Sequence, residues 1–393
     1  MTRVYIVGAK RTAIGGFQGS LKDTGAVELG TLVTRGLLAE SQIDAECINE
    51  VVFGNVLSAG LGQNIARQIA VGAEIGFEVP SYTVNQVCAS GMKAVQLGWQ
   101  AIAIGEADVI VAGGVENMNQ APYLVKGARS GLRMNDSVLE DSMVRDGLWC
   151  AIKNYHMGVT AENLAKRYGI SREEQDAFAM WSQQKAAQAI ASGQFVDEIV
   201  PIPIKTRTET IEFKTDEHPR AGTTVDALAK LRPAFNQNGT VTAGNASGIT
   251  DGAAAVVLAS EEFVRSRKIR AIAEVTGFAS VGVAPEIMGM GPAAAVSKLV
   301  QKTHMTLDEI DVVELNEAFA VQSLAVLREV HFPREKVNVN GGAIALGHPI
   351  GASGARILVT LLGVMEKREL KTGLASLCVG GGMGIAMLVR LCN

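Results

Sequence analysis

The sequence predicts a layered α/β protein made of two similar halves with a segment inserted between them. Three observations carry this. The first third alternates short β-branched runs with helix-like stretches, the βαβ pattern of a sheet covered by helices. The last third repeats that alternation, and the middle, from about Asn119 to Gly248, breaks it.

In the first third, Val4–Val7, Glu50–Phe53 and Val109–Ala112 read as buried strands. Between them, Ala26–Glu40, Asn64–Ile75 and Ser90–Ile104 read as helices. In the last third, Ala271–Thr276, Val312–Leu315 and Ala375–Val379 read as strands, with helices near Ala294–Lys302, Ala318–Glu329 and Ala352–Glu366. The two thirds also align with each other. Cys88-Ala-Ser-Gly91 lies over Gly351-Ala-Ser-Gly354, Ile48-Asn-Glu-Val-Val52 resembles Ile310-Asp-Val-Val313, and the strand ending at Gly113-Gly114 resembles the one ending at Gly380-Gly381. Three co-linear matches point to a duplicated domain. In the middle, Ser171 and Glu174 form a capping box that opens a long helix ending near Gly193. Strand-like Glu198–Ile204 and Thr210–Phe213 follow, and then a turn-rich stretch from Asp216 to Gly248. A long insertion of this kind reads as a binding lid. The expected division is residues 1–118 with 249–270, an inserted domain 119–248, and residues 271–393.

Composition narrows the class. A chain of 393 residues exceeds one typical core, and 48% hydrophobic with 19% charged residues fits a well-buried enzyme. A formal net charge of −4 argues against a nucleic-acid binder. The five cysteines (Cys47, Cys88, Cys150, Cys378 and Cys392) make no short-spaced pair, so neither a disulfide framework nor a metal motif is expected. The start reads as a strand, not a signal peptide, the end matches no targeting address, and no apolar run is long enough to span a bilayer. The expectation is a cytoplasmic protein without nucleic-acid or membrane partners.

Three residues in glycine-dense surroundings carry the chemistry. Cys88, in Val87-Cys88-Ala89-Ser90-Gly91, lies where strand-like Tyr82–Asn85 gives way to a helix. Free N–H groups and the dipole of a helix start favour a thiolate and can hold the oxyanion of an attacked carbonyl. The competing reading is a small packed cysteine. His348, in Gly347-His348-Pro349-Ile350-Gly351, can take a thiol proton or can be a loop histidine bonded to backbone. Cys378 ends a strand and precedes Val379 and three glycines; it is a second nucleophile or proton-transfer group, or a packed thiol. The glycine run there is no dinucleotide fingerprint, because a strand, Ile385–Val389, follows it. Asn316, after strand Val312–Leu315, can place a water or donate to an oxyanion, or can serve as a helix N-cap. Ser247 can line a ligand channel or close a turn.

Taken in order, Arg11-Thr-Ala-Ile-Gly15, the Cys88 segment, Gly113-Gly-Val-Glu-Asn-Met118, Asn316-Glu-Ala-Phe-Ala320, Asn340 through Arg356 and Cys378 through Gly384 resemble the thiolases along the whole chain, and most closely their short-chain biosynthetic branch, which makes acetoacetyl-CoA from acetyl-CoA. The resemblance implies a five-layered αβαβα fold with an inserted loop domain, and reversible condensation of two acetyl-CoA through an acetyl thioester. Cys88 would be the nucleophile, His348 its activator, and Cys378 the base for the second acetyl-CoA. Asn316 would hold a water that binds the enolate oxygen with His348. The N–H groups of Cys88 and Gly380 would bind the tetrahedral oxyanion. Leu148, His156, Met157, Arg220, Phe235, Ala243 and Ser247 would line the coenzyme A channel, with Met288 and Phe319 near the acyl end. Coenzyme A would be substrate and product, no cofactor would be tightly bound, and no metal would be needed. His156 stands where degradative relatives commonly carry proline, and Met288 should shorten the acyl pocket. Ala227 departs from relatives with serine near the coenzyme. The family implies a homotetramer, with Tyr123–Met134 a candidate contact loop. Three alternatives compete. A β-ketoacyl synthase would have histidine in place of Cys378. An acyl-CoA carrier would not need all of Cys88, His348 and Cys378. A degradative thiolase would accept longer chains.

Overall fold

The computed structural model describes residues 2–392. The main strands of its central sheet are β1 (Val4–Thr12), β2 (Glu50–Gly54), β3 (Ser81–Val84), β4 (Val109–Asn117), β5 (Thr250–Ser260), β6 (Ala273–Gly282), β7 (Val312–Leu315), β8 (Thr372–Val379) and β9 (Met383–Leu391), with the two-residue strands Gly15–Gly16 and Ile199–Val200 added to β5 and β1. They hydrogen-bond in the order β7-β8-β9-β6-β1-β5-β4-β2-β3. The halves meet at the antiparallel β1/β6 seam, where Tyr5 faces Glu274 and Ile6 faces Ala273. Moving outward from the seam, β1-β5-β4-β2 on one side mirrors β6-β9-β8-β7 on the other. The place of β3 is taken in the second half by a single parallel bridge between Val313 and Val337.

Helices are layered on this sheet by the alternation of side chains along each strand. The main ones are α1 (Ala26–Ser41), α2 (Ile65–Gly72), α3 (Ser90–Ala103), α4 (Met157–Tyr168), α5 (Arg172–Ala191), α6 (Gly291–Thr303), α7 (Ala320–Val330) and α8 (Ser353–Arg368). Val51, Phe53, Val111 and Val257 pack on Leu29 and Val33 of α1 and Ile69 of α2. Their neighbours Val52, Ile110 and Val256 point the other way, into a cluster with Met92 and Val95 of α3, Ile357 and Leu361 of α8, and Leu377, Met387 and Val389 of the second half. Val313, Leu374 and Leu388 face Val296 and Leu299 of α6 and Val321 and Val326 of α7. The result is five layers: helix, sheet, helix, sheet, helix. Covered on both faces, β4, β5 and β8 are buried at every residue.

In the middle layer α3 and α8 nearly touch. A Cβ on Gly91 would lie 2.8 Å from the Ala355 nitrogen, and one on Gly354 would lie 2.5 Å from the Met92 nitrogen. The sequence alignment of the halves equates Gly91 with Gly354 and Met92 with Ala355. The crossing therefore sits on the local two-fold axis, and both positions must be glycine.

The inserted segment is tied into the first half. Its Ile199–Val200 pairs with β1 at Arg11 and Thr12. The buried Arg11 guanidinium donates to Glu198 at 2.6 Å and to both oxygens of Asp216 at 2.7 and 2.9 Å. The capping box at Ser171 and Glu174 is present and starts α5. Sequence reading did not single out β5, which lies at the centre of the sheet, or α4. Asn316 is no N-cap, since α7 begins at Ala320 with Phe319 as its cap.

Candidate active site

Cys88 sits in a strained turn between β3 and α3. Val87 has φ of 48°. That left-handed conformation is a genuine outlier for a β-branched residue and costs about 1–3 kcal/mol. Ser90 holds it in place: its hydroxyl accepts from the Gln86 N–H at 2.9 Å and donates to the Val87 carbonyl at 2.6 Å. The turn leaves the side chain of Cys88 partly exposed. The N–H groups of Gly380 and of Cys88 itself point at its sulfur. Desolvation nevertheless pushes the thiol up to about 11, against those N–H groups. The thiolate expected at a helix start is therefore not the resting form. The free protein holds a thiol there.

Cys378 is fully buried near the end of β8, opposite Gly384 of β9. Burial raises its thiol far above the usual cysteine range, and the neighbouring Cys88 raises it further. Gly380 lies just beyond the strand and directs its N–H to Cys88. One β8 terminus thus supplies both the second sulfur and a donor to the first.

His348 is buried in the loop before α8. Its Nδ1 is 2.5 Å from the Ser353 hydroxyl, and that hydroxyl donates its one proton to the Pro349 carbonyl at 2.8 Å. The hydroxyl can then only accept from the ring, so Nδ1 carries the proton and Nε2 is bare. Burial, with Arg356 nearby, pushes the imidazole down to about 3, so it is neutral. Nε2 faces the Asn316 carboxamide nitrogen at 3.4 Å. The Asn316 carbonyl oxygen is buried without a protein partner. Ile350, two residues past His348, packs in one small cluster with Val87, Cys88 and Leu148. The role of Ser353 is not visible in the sequence, because it depends on a hydroxyl–imidazole contact five residues away. Ser353→Ala is expected to lower kcat about 10- to 100-fold with KM nearly unchanged, because the ring loses the partner that fixes its tautomer. Steady-state kinetics showing an unaltered kcat would refute this.

Around the two sulfurs the chain places several of the expected coenzyme A residues. Met157 starts α4 and approaches Gly380: a Cβ there would lie 3.8 Å from the Met157 sulfur. His156 caps α4, its Nδ1 accepting from the Gly158 N–H at 3.0 Å, so Nε2 bears the proton. Burial holds this imidazole below the ordinary histidine range. It stacks on Phe235 at 4.6 Å, and Phe235 meets Phe319 edge-on at 6.2 Å. Met288, Met157, Phe319 and Cys378 share one apolar cluster, with Phe235 packed against it. Ser247 donates its N–H to the Ala318 carbonyl at 3.0 Å beside this group. Ala243 and Arg220 are exposed, and Arg220 is anchored through its backbone N–H to Gln183 at 2.7 Å. Ala227 lies in a short helix capped by Thr224. Among the described residues, no group of three or more His, Cys, Asp or Glu is arranged to hold a metal, and no helix is long and apolar enough to cross a membrane.

A duplicated five-layer fold that brings two cysteines to one strand end defines the class. Residues 4–262 match the thiolase N-terminal domain and residues 269–391 the thiolase C-terminal domain, and the chain belongs to the thiolase family. Within it, the chain is 57% identical over 388 residues to an acetyl-CoA acetyltransferase of Pseudomonas aeruginosa, covering 98% of this chain and 99% of the relative. It is 54% identical over 394 residues to an acetyl-CoA acetyltransferase of Escherichia coli, covering all of both. Among solved structures, it resembles the Bacillus anthracis acetyl-CoA acetyltransferase with a TM-score of 0.98 and 44% identity, over 100% of this chain and 99% of the other. It also resembles human mitochondrial 3-ketoacyl-CoA thiolase with a TM-score of 0.97 and 42% identity, over the same shares.

Proposed function

We infer that the protein is an acetyl-CoA C-acetyltransferase, which joins two acetyl-CoA into acetoacetyl-CoA and coenzyme A, reversibly. The observation that carries the roles is the meeting of the Cys88 sulfur with Cys378 and the Gly380 N–H. The identity of 50–57% over nearly the whole chain to proteins named as acetyl-CoA acetyltransferases supports the reaction.

The steps follow from where protons can sit. The bare Nε2 of His348 takes the Cys88 proton while the sulfur attacks the thioester carbonyl. The N–H groups of Cys88 and Gly380 stabilise the oxyanion. The departing coenzyme A thiolate needs a proton, and Cys378 gives its own. This leaves an acetyl group on Cys88, a thiolate at Cys378 and an imidazolium at His348. A thiol that is hard to ionise gives a strongly basic thiolate, suited to removing the α-proton of a second acetyl-CoA. The enolate oxygen then accepts from Nε2–H of His348 and from a water bound by Asn316. The carbanion attacks acetyl-Cys88, acetoacetyl-CoA leaves, and the proton on His348 returns to the Cys88 sulfur.

Coenzyme A enters as substrate and leaves as product, with no resident cofactor in this scheme. The His156–Phe235–Phe319 stack suits the pantetheine arm, with Leu148, Met157, Ala243 and Ser247 beside it. Arg220, exposed to solvent, suits the anionic nucleotide end. Met288, buried among Met157 and Phe319, limits the acyl end. A degradative, longer-chain activity is the second reading, because human mitochondrial 3-ketoacyl-CoA thiolase matches the fold almost as well. The expected result is that purified protein cleaves acetoacetyl-CoA with coenzyme A at least about 10-fold faster, by kcat/KM, than a long-chain 3-ketoacyl-CoA. The reverse order would establish the second reading.

A homotetramer in the cytoplasm completes the proposal. Its support is the arm with strands Tyr123–Val125 and Leu139–Asp141, which exposes Tyr123, Leu132, Met134, Val138 and Leu139. Clustered exposed apolar side chains of this kind mark an interface.

A further inference from the structure

The His348 segment is gripped on both sides by a buried carboxylate that sequence reading gave no role. Upstream, Glu317 directly follows Asn316 in the chain. One of its oxygens accepts from the Asn338 carboxamide at 2.7 Å, and the other accepts from the Ser182 hydroxyl at 2.7 Å and the Ile344 N–H at 3.2 Å. Asn338 in turn closes on strand β7, donating to the Leu315 carbonyl and accepting its N–H, both at 2.8 Å. Gly342 passes so close that a Cβ there would lie 2.2 Å from the Glu317 carboxyl carbon. Downstream, Glu116 of β4 accepts from the Gly351 N–H at 2.8 Å. The same carboxylate accepts from Val56 N–H at 3.1 Å, Leu57 N–H at 3.0 Å and the Asn55 carboxamide at 2.9 Å.

Ile344 lies four residues before His348 and Gly351 three after it. Glu317 also carries Asn316 on its own backbone. The catalytic pair Asn316–His348, 3.4 Å apart, is thus suspended between two fixed points, one rooted in each half of the fold.

We propose that Glu317 and Glu116 are positioning residues that set the Asn316–His348 geometry and so the binding of the enolate oxygen. This rests on the acetyltransferase reading and adds to it. The chemistry demands groups that only accept. Every partner of both carboxylates is an N–H or O–H donor. A glutamine at either position would turn an NH₂ toward one of those donors, whichever way the amide is flipped. The segment would shift while the volume stayed the same. Neither carboxylate belongs to the groups assigned to touch substrate, so the effect is on turnover and not on coenzyme A affinity.

The test is steady-state thiolysis of acetoacetyl-CoA by wild type, Glu317→Gln, Glu116→Gln and Ser182→Ala, with thermal melting of each. The expected result is a fall in kcat of about 10- to 100-fold for both glutamine variants, with KM for coenzyme A within about twofold. Ser182→Ala leaves the carboxylate in place but removes one of its donors, and it should lose about threefold in kcat. Glutamine variants that are folded and keep kcat within twofold of wild type would overturn the proposal. So would a rise in KM that matches the fall in kcat/KM. If the glutamine variants fail to fold, Ser182→Ala decides, and an unchanged kcat there overturns it. Wild-type protein without thiolysis activity would sink the acetyltransferase reading itself; active wild type with fully active variants would sink only the positioning role.

Discussion

Cys88→Ala is expected to lower turnover by about 10⁵-fold or more, the scale on which loss of a covalent nucleophile is felt. That corresponds to about 7 kcal/mol of transition-state stabilisation at 1.36 kcal/mol per decade. Neither the Gly380 N–H nor His348 has a function in acyl transfer once the sulfur is gone. Intact-protein mass spectrometry after treatment with acetyl-CoA should show an acetyl adduct on wild type and none on the variant. Cys88→Ser should behave similarly, since an alcohol in a site that already opposes thiol ionisation is harder still to deprotonate. An adduct that persists in Cys88→Ala and maps to another residue would refute the assignment.

Cys378→Ala should separate the two halves of the reaction. Acetylation of Cys88 should persist, at a reduced rate, because the departing thiolate must find its proton elsewhere. Condensation and thiolysis should fall by about 10³-fold, within the range for a general base. The readouts are the acetyl adduct by mass spectrometry and exchange of the α-protons of acetyl-CoA with deuterated solvent. Exchange reports removal of the α-proton itself, before the carbon–carbon bond forms, so its loss would point to Cys378 directly. A variant that condenses at the wild-type rate would leave this thiol without a role.

Much of this was legible in the chain, for identifiable reasons. β2, β4 and β7 are apolar runs bounded by polar or turn residues, and the strand readings fall on them. Ser171 and Glu174 interact within one helical turn, so the capping box could be read locally. β5 went unremarked, although its residues Ala253 to Ala259 form an unbroken apolar run. That run is largely alanine, a residue depleted in strands, and so lacks the β-branched signature that marked β2, β4 and β7. Cys88, His348 and Cys378 stood out because glycines crowd them. Glu116 and Glu317 did not, because their meaning lies in donors far along the chain: Glu116 and Gly351 are 235 residues apart. The ionisation of Cys88 was read in the wrong direction for the free protein. A helix start is visible in sequence, whereas the desolvation that outweighs it is a property of the packed neighbourhood.

The glycine crossing of α3 and α8 bears on how such a chain could have arisen. Before duplication, a half-length ancestor could pair with itself across that contact and place identical side chains on either side of the axis. Such a symmetric ancestor could not reserve a sulfur for one side only. The fused chain is free of that constraint: position 88 is cysteine, while its counterpart, 351, is glycine and donates its N–H to Glu116. Specialisation of the two copies made them mutually dependent. Neither repeat, expressed alone, carries a complete set of reacting groups.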